Sequence, residues 1–147
     1  MILKKLNGMI LITLTIMLTL LQSCDFDQVE DKYADYNSAF NDQLFEKGWI
    51  PLELAFNSMT DIYQRTNVDL NTCVFSFKLS KTDIETVKQK ALLTKAIIEH
   101  PRRIDLPSEW VKTVNSLDKY ILLLLDRTDS VCLAIDDQNG IIYGWRN

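Results

Sequence analysis

A run of 13 apolar and threonine residues near the N-terminus, residues 9–21, most constrains what this chain can fold into. A helix of that length rises about 20 Å, short of the roughly 30 Å hydrocarbon core of a bilayer. Lys4 and Lys5 precede the run, and a short basic segment before a short apolar segment is typical of a secretory signal peptide. We therefore expect the signal peptide to be removed and the folded protein to comprise the 124 residues that begin at Cys24.

The residues that end this segment are Leu21-Gln22-Ser23-Cys24: an aliphatic residue, a tolerant position, a small residue and a cysteine. This sequence resembles the lipobox of bacterial lipoproteins. The resemblance implies that residues 1–23 are cleaved off, that the Cys24 sulfur carries a diacylglyceryl group and that its new amine carries an acyl chain such as palmitate. The alternative is an ordinary secretory signal in which Cys24 is incidental. Lipid on Cys24 would anchor the protein in the bacterial cell envelope, with inner or outer membrane left open.

The charge of the chain after the signal peptide restricts its partners. Removing Lys4 and Lys5 leaves 14 basic and 20 acidic side chains, a net charge of −6. No nucleic acid is expected as a partner, because phosphate binding requires concentrated Lys and Arg. Acidic residues follow the lipobox closely, so residues 24–30 are predicted to form an acidic tether. Residues 31–147 contain no repeat or low-complexity linker and are predicted to form one domain.

Helical spacing of apolar residues predicts a helix over residues 30–47, ended by Gly48 in a left-handed conformation. Capping-box spacing predicts a short helix over 58–64 and a longer one from Thr82 toward His100. Pro107 is suited to the first turn of another helix, whose apolar face would be Trp110, Val111, Val114 and Leu117.

Alternating apolar residues predict a half-buried strand over 72–79. Residues 120–125, 130–135 and 141–145 are three further strand predictions, and Asn139-Gly140 favours a two-residue turn between the last two. We therefore predict an α+β fold: a mainly antiparallel sheet of about four strands with helices packed against it and a C-terminal β-hairpin.

The chain offers little for catalysis. His100 is the only histidine, at a predicted helix end, and neither a Gly-x-Ser-x-Gly motif nor a glycine-rich phosphate loop is present. The remaining candidates for acid–base chemistry are aspartates in predicted turns or caps, where Asp is common anyway: Asp61, Asp69, Asp126, Asp129, Asp136 and Asp137. We expect no catalytic residue, no metal site and no cofactor.

Cys73 and Cys132 lie on predicted strands of an exported chain, where a disulfide can form. A bridge between them would close a long loop and stabilise the fold by roughly 4 kcal/mol on the entropy model. Free cysteine also packs as a small buried hydrophobe. The favoured prediction is two free thiols, with the disulfide as the alternative.

Three residues are candidates for interaction. Arg102 and Arg103 form the one concentrated basic patch, which could contact phosphate or a lipid headgroup or simply be a solvated helix end. Trp49, before Ile50-Pro51, is the tryptophan expected to be the most exposed of the three. It is a candidate binding residue because tryptophan is enriched at binding hot spots. Core packing is the favoured expectation for all three tryptophans, with a binding role for Trp49 as the alternative.

A second resemblance rests on short motifs along the chain. These are Lys47-Gly48-Trp49-Ile50-Pro51, Ser58-Met59-Thr60-Asp61-Ile62, Asp69-Leu70-Asn71 and Tyr143-Gly144-Trp145. Together they resemble a group of small bacterial lipoproteins of uncharacterised function, and the resemblance implies no activity and no site residues. The resulting expectation is a membrane-anchored envelope lipoprotein that binds an envelope protein or has a structural role. The alternatives are a small envelope hydrolase that uses carboxylates and an inhibitor of a secreted protein.

Overall fold

The computed structural model describes residues 28–93, 97–98, 106–117, 120–124 and 130–146. Within these ranges, seven strands form one antiparallel sheet in the order β1-β2-β3-β7-β6-β5-β4. The strands are β1 Gln28–Asp35, β2 Thr60–Asn67, β3 Thr72–Lys78, β4 Ile97–Ile98, β5 Tyr120–Leu124, β6 Ser130–Asp136 and β7 Ile141–Arg146. The helices are α1 Tyr36–Asn41, α2 Lys81–Leu93 and α3 Ser108–Ser116, with a 3-10 turn at Leu52–Leu54. The α+β class, the antiparallel sheet and the C-terminal hairpin are confirmed.

The N-terminal part of the secondary-structure prediction is wrong, and this accounts for two of the three strands beyond the predicted four, β1 and β2, the third being β4. The predicted helix over 30–47 is strand β1 followed by the short helix α1, and the predicted helix over 58–64 is the start of β2. β1 pairs with β2 from Gln28↔Asn67 to Asp35↔Thr60. This pairing satisfies backbone hydrogen bonds that a helix would otherwise satisfy internally.

Part of the segment assigned to the acidic tether belongs to the folded domain. β1 begins at Gln28, so residues 28–30 of the predicted tether lie in the sheet. Glu30 lies in β1 and accepts a hydrogen bond from the Tyr63 hydroxyl. Asp35 caps α1 by accepting a hydrogen bond from the Ser38 amide at 2.8 Å.

One face of the sheet carries the large core. β3 contributes Phe75 and Phe77, whose rings stack with centroids 5.9 Å apart. The segment between α1 and β2, together with α2, covers this face with buried apolar side chains: Leu44, Ile50, Leu54, Met59, Ile84 and Val87. Burial of this apolar area, at about 25 cal/mol per Å², provides the main driving force for packing these segments on the sheet.

The opposite face carries a smaller core. Trp110 and Val114 of α3 pack there on Val74, Cys132 and Tyr143. The predicted burial of Trp110 and Val114 is confirmed, whereas Val111 is 40% exposed. Pro107 is the N-cap residue directly before the first helical residue, Ser108. It therefore lies one position before the first turn in which it was expected.

The turns differ in detail from the predictions. The β6–β7 turn has four residues, 137–140, because Asp136 pairs with Ile141, and the two-residue turn is therefore wrong. Asp136, 7% exposed, accepts hydrogen bonds from the Gln138 and Asn139 amides, each at 3.1 Å. Gly140 has a φ of +70°, and its carbonyl accepts a hydrogen bond from the Leu79 amide at 2.9 Å.

Helix α2 begins at Lys81 and uses a different cap from the predicted Thr82–Glu85 pair. The Ser80 hydroxyl accepts a hydrogen bond from the Asp83 amide at 3.2 Å. Ser58 also donates to the Asp83 carboxylate, which ties the segment before β2 to the helix. The predicted continuation toward His100 is wrong at Ile97–Ile98, which form β4, while His100 lies outside the described residues. Within the described ranges, none of the helices combines the length and the apolar character that a membrane span requires.

Candidate interaction surface

The face that carries α3 has a charged and aromatic strip along β1 and β2. Register pairs Lys32 with Tyr63 and Glu30 with Arg65, so these four side chains share one face. Tyr63 also reaches the small core by contacting Trp110. We refer to Glu30, Lys32, Tyr63, Arg65 and Trp110 as the Tyr63 surface.

Tyr63 is held on three sides. Its hydroxyl donates to Glu30 Oε1 at 2.9 Å, and Lys32 Nζ lies 5.5 Å from its ring centroid, within cation–π range. Its ring meets that of Trp110 edge to face, with centroids 5.2 Å apart and an interplanar angle of 76°. Trp110 in turn contacts Tyr143 at 5.3 Å between centroids. The exposed strip is therefore fixed to the buried part of the domain through packed aromatic rings.

The electrostatics of this surface keep the Tyr63 phenol neutral. Burial, followed by the hydrogen bond to Glu30 and the charge of Glu30, raises the pKa of Tyr63 to about 12. Arg65 opposes this shift in the pKa and Glu109 adds to it. At physiological pH the hydroxyl is therefore a hydrogen-bond donor and not a phenolate nucleophile.

These properties suit recognition of another protein. Tyrosine, tryptophan and arginine are enriched at interfaces and at their energetic centres. Glu30 and Lys32 are exposed, while Tyr63 and Arg65 are half-buried. A partner that covers the strip would bury apolar area against a pre-ordered aromatic ring. Positively and negatively charged side chains surround that ring. Pre-ordered side chains lose less conformational entropy on binding.

Of the residues predicted from the sequence as interaction candidates, Trp49 lies among the described residues. Trp49 is half-buried and packs against the large core, as favoured, and it is more exposed than the buried Trp110 and Trp145. Its neighbour Gly48, with a φ of +75°, confirms the left-handed prediction and accepts a hydrogen bond from the Arg146 guanidinium through its carbonyl. Arg102, Arg103 and the lipidation candidate Cys24 lie outside the described residues.

Cys73 and Cys132 are both buried free thiols. They belong to the large and small cores respectively, on opposite faces of the sheet. Strand β7 also separates them, because Cys73 pairs with Arg146 and Cys132 with Trp145. Strands two positions apart are about 10 Å apart, beyond the roughly 7 Å between Cα atoms that a disulfide tolerates. The alternative of a disulfide between them is wrong.

The aspartates considered for acid–base chemistry serve separate structural contacts where they are described. Asp61, in left-handed conformation at the β2 bulge, pairs with Lys78 at 2.7 Å, and Asp137 pairs with Lys88 at 2.6 Å. Asp69 lies in the β2–β3 turn, and Asp136 organises the β6–β7 turn. Asp126 and Asp129 lie outside the described residues.

Two described carboxyl groups have clearly perturbed pKa values, and both pKa values are lowered. The hydrogen bond from Ser38 lowers the pKa of Asp35, and the hydrogen bond from Tyr33, with the charge of Lys47, lowers the pKa of Asp42. A general acid at neutral pH needs a raised pKa. Within the described ranges, no group of three His, Cys, Asp or Glu side chains could hold a metal ion.

Sequence patterns missed the Tyr63 surface because β2 was interpreted as a helix. The signal that could have revealed it is the alternation of Ile62, Gln64 and Thr66 with Tyr63 and Arg65. Gln64 obscures this pattern, since its polar side chain occupies a buried position on the large-core face.

Comparison with known proteins adds one partial match. Residues 27–78 match the YbbD head domain family, a segment that contains β1, α1, β2 and β3. It includes four of the five residues of the Tyr63 surface and omits Trp110. No curated protein matches the chain, and no solved structure does.

Proposed function

We propose that this chain is a lipid-anchored protein of the bacterial cell envelope whose folded domain binds another envelope protein. The anchor rests on the basic segment, the 13-residue apolar run and the lipobox ending at Cys24.

The binding role rests on the Tyr63 surface. A half-buried tyrosine is held between a carboxylate and an ammonium group and connected to the small core through Trp110. This arrangement supplies pre-ordered aromatic area with charged residues around it, which is the composition of an interface centre and its rim. We place the partner contact on β1 and β2.

The anchor is tested by replacing the lipidated residue. The Cys24→Ala variant should leave the membrane fraction after cell breakage or remain as an unprocessed precursor. Mass spectrometry of the unsubstituted mature chain should find Cys24 as its first residue, with attached acyl chains. Normal cleavage and continued membrane association of Cys24→Ala would contradict the lipoprotein assignment.

The binding role is tested by crosslinking in native membranes. A photo-crosslinking amino acid at Ala34, which is exposed and shares a face of β1 with Lys32, should capture one envelope protein. Lys32→Glu or Arg65→Glu should reduce this adduct at least tenfold, because each reverses a charge of the Tyr63 surface. Lys81→Glu, on an exposed residue at the start of α2, is the matched control and should leave the adduct unchanged.

If Lys32→Glu and Lys81→Glu reduced the crosslinking equally, this result would contradict binding through the Tyr63 surface. An adduct with a secreted protein would favour the alternative of an inhibitor. An adduct with a resident envelope protein would support the proposed role.

A further inference from the structure

The turn between β2 and β3, residues 68–71, exposes two apolar side chains. Val68 is 61% exposed and Leu70 is 69% exposed. The polar residues shape this turn: Asn67 Oδ1 accepts a hydrogen bond from the Leu70 amide at 2.9 Å, and Asn71 adopts a φ of +50°. The turn geometry therefore does not depend on the Val68 and Leu70 side chains, and turn positions normally favour polar residues or glycine.

The same end of the sheet carries the start of the domain. Gln28, the first residue of β1, pairs with Asn67, directly before the turn. Val29, 47% exposed, pairs with Thr66. The four residues from Cys24 to Gln28 span at most about 14 Å even when fully extended. A lipid anchor at Cys24 would therefore keep this turn close to the bilayer surface.

We propose that the β2–β3 turn inserts Val68 and Leu70 into the interfacial region of the bilayer that holds the anchor, an inference that rests on the proposed lipidation of Cys24. The contact is apolar and suited to an uncharged phospholipid surface, because Asp69 between the two side chains would be repelled by anionic lipid. The anchor supplies a high effective concentration of membrane at the turn, so two apolar side chains suffice. The Tyr63 surface would then extend away from the membrane along β1.

The experiment uses the full lipidated chain in phosphatidylcholine vesicles. An environment-sensitive fluorophore is attached at Leu70→Cys or, as the matched control, at Phe40→Cys. Phe40 is also exposed, at 56%, and follows the far end of β1, which is about 24 Å from its start at the strand rise. The buried Cys73 and Cys132 should not label, which the unsubstituted chain checks.

The fluorophore at position 70 should shift to shorter wavelength and be quenched several-fold by lipids with spin labels near the headgroup, while that at position 40 should remain aqueous. With the fluorophore at Asp69→Cys, adding Val68→Ser and Leu70→Ser should abolish the quenching while membrane association persists. If mass spectrometry verifies the lipid but the fluorophore at position 70 remains in an aqueous environment, the membrane contact alone would be overturned. A mature chain with no lipid would overturn the proposed anchor and the contact together.

Discussion

The aromatic ring of Phe75 occupies the space above Gly144, its direct cross-strand partner between β3 and β7. A Cβ atom added at Gly144 would lie far inside van der Waals contact of Phe75 Cε2 and Cζ. Glycine inside a strand usually weakens it, because it has no side chain to pack. Here the ring supplies the missing packing at the central strand pair of the sheet.

Gly144→Ala should therefore destabilise the domain, although alanine normally suits a strand better than glycine. Overpacking of a core costs about 1–3 kcal/mol, and the free energy of unfolding in urea should fall within that range. Gly48→Ala is the control, because Gly48 has a left-handed φ of +75° but open space around it, and a cost near 1 kcal/mol is expected. Adding Phe75→Leu should relieve part of the Gly144→Ala cost, and failure to do so would contradict the steric explanation.

Cys73 and Cys132 should remain unpaired even under oxidising conditions. Non-reducing and reducing gels should give the same mobility, and a thiol reagent should modify neither residue until the protein unfolds. The physical reason is their burial on opposite faces of the sheet. A compact, reductant-sensitive band would show that they pair and would contradict the sheet register between β3 and β7.

The same thiols make the domain sensitive to alkali. Burial raises the pKa of both Cys73 and Cys132 to about 12, whereas Arg146 lowers that of Cys73 slightly. The unfolded thiols release protons near pH 9 while the folded ones retain them, so their contribution to stability is complete below pH 9 and decreases from there toward pH 12. Each thiol adds a slope of about 1.4 kcal/mol per pH unit in that window.

Urea unfolding at pH 7.5, 9 and 10.5 under reducing conditions checks this slope. The double variant Cys73→Ala, Cys132→Ala should be less stable at pH 7.5 but lose less stability between pH 9 and 10.5. Tyr63, whose pKa is also about 12, contributes to the remaining decline in both proteins. Equal slopes for the variant and the unsubstituted protein would contradict the thiol explanation.

Buried Gln64 should limit the stability of the large core. Its side chain is 1% exposed, and its Oε1 atom has no hydrogen-bond partner among the described residues. An unsatisfied buried acceptor costs about 1–3 kcal/mol, so Gln64→Met, of similar length, should raise the free energy of unfolding by about 1 kcal/mol. The exposed Gln89→Met on α2 is the control and should change little. Loss of stability in Gln64→Met would show that the amide is needed.

The C-terminal part of the fold was accessible from sequence and the N-terminal part was not, for identifiable reasons. β3 alternates cleanly from Cys73 to Phe77, because its apolar side chains line the large core. β1 is an edge strand whose residues are mostly exposed, and Tyr33 is its one residue that packs against the large core. The strand therefore shows no alternation of apolar residues, and the chance helical spacing of apolar residues in this part of the sequence predicts a helix instead. In β2, the bulge at Asp61 interrupts the alternation.

The Tyr63 surface could not be predicted because it depends on the pairing of strands. Glu30 and Tyr63 are 33 residues apart and meet only because β1 and β2 align in one register. Trp110 lies on α3, far from β1 and β2 in the sequence. It is predicted to be a core residue, and it does belong to the small core. Local patterns predicted the burial of Trp110, but its contact with Tyr63 requires the sheet.

Asp136 should be the critical residue of the β6–β7 turn. Its carboxylate accepts hydrogen bonds from two backbone amides and from Asn139 Nδ2 at 2.8 Å. Asp136→Ala would leave these donors without their acceptor in a largely buried turn, at an expected cost of about 2–3 kcal/mol in urea unfolding. Asp136→Asn keeps one oxygen acceptor and should cost less.

Asp137→Ala is the matched control in the next position. Its carboxylate is 58% exposed and pairs with Lys88, and such surface ion pairs contribute about 0–1 kcal/mol. Because the turn also holds Gly140 against the start of α2 through the Leu79 amide, hydrogen exchange at Leu79 should accelerate in Asp136→Ala and not in Asp137→Ala. Equal losses in the two variants would mean that net negative charge, rather than the hydrogen-bonded turn, determines the effect.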